Sequence, residues 1–213
     1  MKNSLHYPKL LLFIFLFISG TLAAQTAGHD DDINDGLPIQ SEWDGKTYSV
    51  YSVGDKIFNI SIGTLSSLFL TGRNYEIISN KIHIGGTGSL SYSYFLTTKI
   101  FTGGELQGSF SSTLSEIFLY MIPISWHIGY QFIYNRFEFP SSVSFGIVPQ
   151  SYNGKSLLSI FSKLHGAAFY RFTNDWSFGL NTEFWWIPQW TKEPSKNAYG
   201  HFLGITVSAR YHF

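Results

Sequence analysis

Two histidines pose the first chemical question. His127 and His165 sit among alternating polar and apolar residues, as do the carboxylates Glu105 and Glu183. A carboxylate that orients an imidazole lets the ring act as a base toward a serine, and Ser125 or Ser111 would supply that nucleophile. Such a set would hydrolyse or transfer an acyl group. The competing reading makes both rings hydrogen-bonding members of a packed polar interior. We favour it, because both lie mid-strand on the face assigned below to the interior. An acidic segment poses a second question. Asp31, Asp35, Gly36 and Glu42 fall at positions one, five, six and twelve of a calcium loop, but Ile33 occupies position three, where an oxygen ligand belongs. No helices flank the segment. No catalytic residue, metal site or cofactor is expected.

Composition bounds what these residues can serve. The chain of 213 residues is 44% hydrophobic and 18% aromatic but only 13% charged, against about 25% in an ordinary soluble domain. Lys plus Arg and Asp plus Glu are 14 each, so no basic excess exists to bind nucleic acid. Cysteine is absent, which excludes disulfides, thiolate metal sites and cysteine catalysis. Of the charged residues, 11 precede Ile57 and 17 serve the last 157 positions. A water-facing surface is hard to build from so few, and lipid is expected to cover much of the protein.

The elements that would position the histidines begin only after two leading segments. Residues 1–24 read as a signal peptide: Lys2 and Lys9, an unbroken apolar run from Leu10 to Ile18, then small residues ending at Ala24. The run is too short for a spanning helix, which needs about 20 apolar residues. Residues 25–56 read as a flexible polar segment. From residue 57 to 213 the sequence alternates with period two, the signature of strands. Leu203, Ile205, Val207, Ala209, Tyr211 and Phe213 share one apolar face, while Thr206, Ser208, Arg210 and His212 share the other. Seven upstream segments divide the same way, among them Trp126, Ile128 and Tyr130 against Ser125, His127 and Gln131. Phe161 and Phe169 break the polar face of one segment. Short breaks at Thr97–Lys99, Asn135–Arg136 and Thr173–Asp175 alternate with longer ones at Leu70–Asn80, Pro149–Ser156 and Ile187–Gly200.

Eight alternating strands can close as a soluble barrel with its apolar face inward, or as a membrane barrel with that face on lipid. Charge decides. Glu105, Lys163, Arg171, Glu183 and Arg210 all sit on the polar face; they are too few to solubilise an exterior but suit a narrow lumen. The expected fold is an all-β, eight-stranded antiparallel up-and-down transmembrane β-barrel. Its lumen would hold a polar network of Glu105, Gln107, His127, Gln131, Lys163, His165, Arg171, Asn181, Glu183 and Arg210. Trp126, Tyr130, Tyr170, Trp176 and Trp186 would form aromatic girdles where the strands leave the lipid.

The terminal run Leu203-x-Ile205-x-Val207-x-Ala209-x-Tyr211-x-Phe213 resembles the signal by which outer-membrane barrels are recognised for assembly. The chain after residue 24 resembles the small eight-stranded barrels of the OmpA, OmpX and OmpW size class. Val53-Gly54-Asp55 and Pro123-x-x-Trp126-His127-x-Gly129-Tyr130 look most like OmpW-type barrels, including those of spirochaetes. The resemblance implies the outer membrane of a diderm bacterium, with outer-membrane lipid and the barrel assembly machinery as partners. It also implies a structural or surface envelope protein, or a narrow passive conduit for small hydrophobic solutes, without enzymatic activity. A surface adhesin that meets a host surface ligand is an alternative. A barrel enzyme that modifies lipid A is another, but the His-x-Ser-Asn element of its deacylase group is missing.

Overall fold

Alternation becomes strand throughout the described part of the chain. The computed structural model describes residues 40–43, 46–49, 51–72, 77–78, 83–112, 118–152, 154–189 and 198–213. The expected signal peptide lies outside the described residues, as do Asp31, Asp35 and Gly36 of the acidic segment, residues 73–76 and 79–80 of the first long break and 190–197 of the last. Strands β1 (Gln40–Trp43) and β2 (Lys46–Ser49) pair with each other. Strand β3 (Lys56–Gly72) also carries the short β4 (Ile77–Ile78). Then follow β5 (Gly85–Phe95), β6 (Ile100–Ser112), β7 (Phe118–Met121), β8 (Ile124–Tyr134), β9 (Phe137–Tyr152), β10 (Lys155–Arg171), β11 (Trp176–Gln189) and β12 (Ala198–His212). Each pairs antiparallel with its neighbours, and β12 pairs with β3 along its length. With β7 and β8 as one path, the sheet closes into an eight-stranded up-and-down barrel. No free edge is left among the eight.

The last residue fastens that seam. Lys56 donates its backbone N–H to the Phe213 carbonyl at 3.0 Å, and Phe213 donates back to the Lys56 carbonyl at 3.1 Å. Prolines explain the interruption between β7 and β8. Gln107 donates to the Pro123 carbonyl (2.9 Å) and Ile122 to the Pro149 carbonyl (3.0 Å), but neither proline has an N–H to return. Each pair keeps one of its two ladder bonds. The register nevertheless continues from β7 to β8 without a slip.

Side chains divide by parity as the sequence suggests. Ile60, Ile62, Leu90, Leu106, Ile128, Phe145, Leu164, Phe178, Leu180, Ile205 and Val207 all point outward and are exposed. So wide an apolar exterior marks a lipid-facing surface. Their neighbours Ser61, Ser89, Gln107, His127, Ser144, Lys163, Asn181, Thr206 and Arg210 are buried inside. Two apolar layers cap this polar interior. Leu65, Leu119, Met121, Val148, Phe161, Trp185, Ile187 and Phe202 fill the end of the longer connections. Tyr51, Ile57, Phe95 and Phe101 fill the end of the short turns.

Four particulars differ from the expectations. The break at Pro149–Ser156 is mostly strand, since β9 reaches Tyr152 and β10 starts at Lys155; Pro149 points its missing donor at one neighbour only and leaves the pairing with β10 intact. Trp126 lies near the middle of the β7–β8 path, away from either girdle, because alternation fixes a side chain's face but not its height. Phe161 and Phe169 do not spoil a face: Phe161 joins the outer apolar layer, and Phe169 offers its ring to Arg210 at 3.6 Å. Finally, Tyr51, inside the segment read as polar and flexible, is 3% exposed.

Candidate functional site in the barrel lumen

Parity alone brings the inward charges into a space too narrow to keep them apart, and they separate into two groups. In the first, β10 supplies Lys163, β6 supplies Glu105 and Gln107, and β11 supplies Glu183. Lys163 Nζ donates to Glu105 Oε2 at 2.6 Å and to Gln107 Oε1 at 3.3 Å, and stands 3.7 Å from Glu183 Oε2. Glu183 also accepts from Gln107 Nε2 (3.1 Å) and from the Trp185 indole N–H (2.9 Å). One ammonium thus holds two carboxylates. The group lies directly beneath the outer apolar layer, to which Trp185 belongs.

The second group gathers at the short-turn end around Glu138 of β9. Arg171 Nε donates to Glu138 Oε1 at 2.5 Å; Tyr51 Oη donates to Oε2 at 2.7 Å, and Gln131 Nε2 at 3.3 Å. Arg210 Nη1 is 4.0 Å from the same carboxylate. Here one carboxylate serves two guanidinium groups. His212 completes the group: its Nδ1 is 3.1 Å from Tyr51 Oη and 3.3 Å from Arg171 Nη2, and its Nε2 is 2.9 Å from Ser177 Oγ. Tyr51 lies outside the spanning strands, and burial together with the nearby Glu138 carboxylate raises its hydroxyl well above the ordinary tyrosine range. It therefore remains a donor.

The two groups offset each other. Among the described residues, Glu105 and Glu183 exceed Lys163 by one negative charge and Arg171 and Arg210 exceed Glu138 by one positive charge, so these six charges balance. Between them lies a void of about 30 Å³, room for a water molecule or two. His127, His165, Asn59, Ser93, Glu105 and Arg210 are among its walls. That is far below the size of a solute pocket, which runs to hundreds of Å³. Asn181 sits apart from both groups and donates to Thr206 Oγ1 (2.8 Å) and to Ser208 Oγ.

The histidines meet other serines than the two the sequence suggested as nucleophiles. His127 Nε2 is 2.9 Å from Ser93 Oγ, and His165 Nδ1 is 3.3 Å from Ser142 Oγ. Neither ring hydrogen-bonds Ser125, Ser111, Glu105 or Glu183, so those residues do not assemble into base, orienting carboxylate and nucleophile. A side chain on Gly103 would run into the His127 ring and the Tyr92 carbonyl, which is why β6 carries glycine there. On the exterior, Tyr130, Tyr170, Trp176 and Trp186 lie toward strand ends. Trp176 packs against Tyr211 at 5.1 Å, and Trp186 stacks on Tyr199 at 5.9 Å. The terminal residues Leu203, Ile205, Val207, Tyr211 and Phe213 line the outward face of the closing strand.

Sequence reasoning missed Glu138, Tyr51 and Trp185. Glu138 was legible in the pattern Phe137-Glu138-Phe139, an inward charge between two outward aromatics. Its position beside the Asn135–Arg136 turn hid it.

Comparison with known proteins agrees with this architecture. A protein-family model matches residues 34–211. An uncharacterized protein of Treponema pallidum is 25% identical over 186 residues, covering 83% of this chain and 85% of that protein. Among solved structures, Neisserial surface protein A superposes with a TM-score of 0.51 at 11% identity, over 75% of this chain and 97% of that one. The outer membrane protein OprG of Pseudomonas aeruginosa gives 0.47 at 10% identity, over 76% and 97%.

Proposed function

Because the chain belongs to the family whose model spans residues 34–211, and folds as a small eight-stranded barrel of the outer-membrane type, we propose that it is an envelope protein of the outer membrane of a diderm bacterium with a closed lumen. The observation that carries this reading is the filling of the interior: a neutral polar network held between two apolar layers. An eight-stranded barrel is about wide enough for its own side chains, and these side chains use the space. Its partners are then the surrounding lipid and the machinery that inserts barrels, with no turnover in the lumen. The apolar exterior supports that location.

The outer apolar layer around Trp185 and Phe202 favours a second reading, a slow passive conduit for small apolar solutes. Such a solute would enter among apolar side chains and could not continue through the ion pairs below; it would have to leave sideways into lipid. Bilayer recordings and vesicle-permeation assays on the refolded full chain test both readings. A closed envelope barrel gives neither ion conductance nor uptake of small sugars. Steady conductance of hydrated ions would overturn the closed lumen, and faster entry of an apolar solute with no ion current would select the conduit.

A further inference from the structure

The short-turn mouth of the barrel is not closed by the barrel alone. Tyr51 precedes the first barrel strand, yet its side chain touches strands on opposite sides of the ring. It stacks on Phe95 of β5 at 4.1 Å between centroids, bonds Glu138 of β9, lies 4.8 Å under the Arg171 guanidinium of β10, and reaches His212 of β12. A side chain in contact with all four spans the lumen. We propose that Tyr51 is a tethered stopper, and that withdrawal of the segment carrying it opens the lumen from the short-turn side. The inference rests on the closed-lumen reading above and adds to it the side from which the barrel opens.

The tether has the form such a device needs. A turn from Ser52 to Asp55 follows Tyr51, closed by Ser52 N–H to Asp55 Oδ2 (2.7 Å) and by Asp55 N–H to the Ser52 carbonyl (3.2 Å). Gly54 takes φ of +100° in it, a conformation open to glycine at little cost. Backbone bonds fix the end of this turn to β5, from Gly54 N–H to the Phe95 carbonyl (3.0 Å) and from Phe95 N–H to the Asp55 carbonyl (2.9 Å), and the register with β5 runs on from Lys56. Rotation ahead of Gly54, at Ser52 and Val53, would withdraw Tyr51 at the cost of the turn's own bonds, the bonds of its hydroxyl and one ring stack, with the bonds to β5 intact. What holds the stopper is the stack on Phe95 together with the directional bonds of its hydroxyl to Glu138 and His212. Behind it lie Ser91, Ser93 and Asn59, which line the small voids of the polar interior.

The absence of native cysteine makes the test direct. Ser91→Cys places one thiol in the interior of the full chain, refolded in lipid nanodiscs, and a small charged methanethiosulfonate reagent reads its exposure by mass spectrometry. In the parent, labelling should be slow. Tyr51→Ala should accelerate it roughly tenfold or more, since labelling follows the population of the open state. Tyr51→Phe, which keeps the ring and loses the hydroxyl, should accelerate it less, and Met121→Ala in the apolar layer at the opposite end should not. If Tyr51→Ala fails to fold, Tyr51→Phe still decides the matter. Equal rates in the parent and in the folded Tyr51 variants would overturn the stopper while the closed lumen stands. Fast labelling of the parent would instead overturn the closed lumen, and an equal acceleration by Met121→Ala would overturn the assignment of the side.

Discussion

Lys163→Met is the sharpest probe of the interior. Methionine nearly matches the length of the lysine stem, so the change removes charge with little change in volume. Lys163 is 2% exposed and is the one ammonium between Glu105 and Glu183. Glu183 keeps two neutral donors, Gln107 Nε2 and the Trp185 indole. Glu105 loses its 2.6 Å partner. Removing one member of a buried pair costs about 3–5 kcal/mol, because the remaining charge stays uncompensated. The double variant Lys163→Met with Glu105→Gln should recover more than half of that loss, since taking away both partners is close to neutral. Denaturant unfolding from lipid vesicles, followed by tryptophan fluorescence, measures both. A loss under about 1 kcal/mol for Lys163→Met, the size of an exposed pair, would show that water reaches the group and would refute the sealed interior.

Three further outcomes follow from the same geometry. Arginine at Leu180, which is 59% exposed on the lipid face, should cost about 2–4 kcal/mol near the bilayer midplane; at Asn181, packed against Thr206 and Ser208, arginine should cost about 1–3 kcal/mol, through overpacking and not through lipid. A chain ending at His212 loses both Lys56–Phe213 bonds of the seam, and heat-modifiable gel mobility should show a reduced folded fraction. Equal yields with and without Phe213 would remove it from the closure. The raised Tyr51 pKa favours its protonated form when folded, so its contribution is complete below the ordinary 10.0 and is lost as pH climbs through the raised value. An ultraviolet titration should show one late tyrosinate step that Tyr51→Phe abolishes, and a step at the ordinary pH would place the hydroxyl in water.

The barrel was legible because strand parity is a one-dimensional property. Leu180 and Asn181 need only be consecutive to face lipid and lumen, and the same rule sorts Leu203 to Phe213 without any knowledge of neighbouring strands. Height is a different matter. Trp126 and Trp176 have the same parity and residue type, yet one sits mid-strand and the other at a strand end, since the level depends on where each strand starts and how it is sheared against its neighbours. Strand ends suffer for a related reason: Pro149 reads as a breaker but only forfeits one ladder bond, and β9 continues past it.

The lumen was harder to read because its contacts join residues far apart in sequence, across the ring and not along a strand. Parity placed Glu105, Glu183 and Lys163 inside; their shared pairing required the register of β6, β10 and β11 together. Tyr51 lay beyond even that argument. Nothing in the 25–56 segment alternates as the barrel strands do, so Tyr51, one of its aromatics with Trp43 and Tyr48, carries no sign that it turns back into the mouth. The turn itself left a trace in Gly54-Asp55, a glycine where the chain must reverse beside a carboxylate that can close the turn. The stronger trace is the crowding of positive charge: Arg171 and Arg210 both face Glu138 at that end, and a neutral hydroxyl donor fits there where a further cation would not. A closing element for such a mouth must bring a hydrogen-bond donor, bulk and no positive charge. Tyrosine supplies all three.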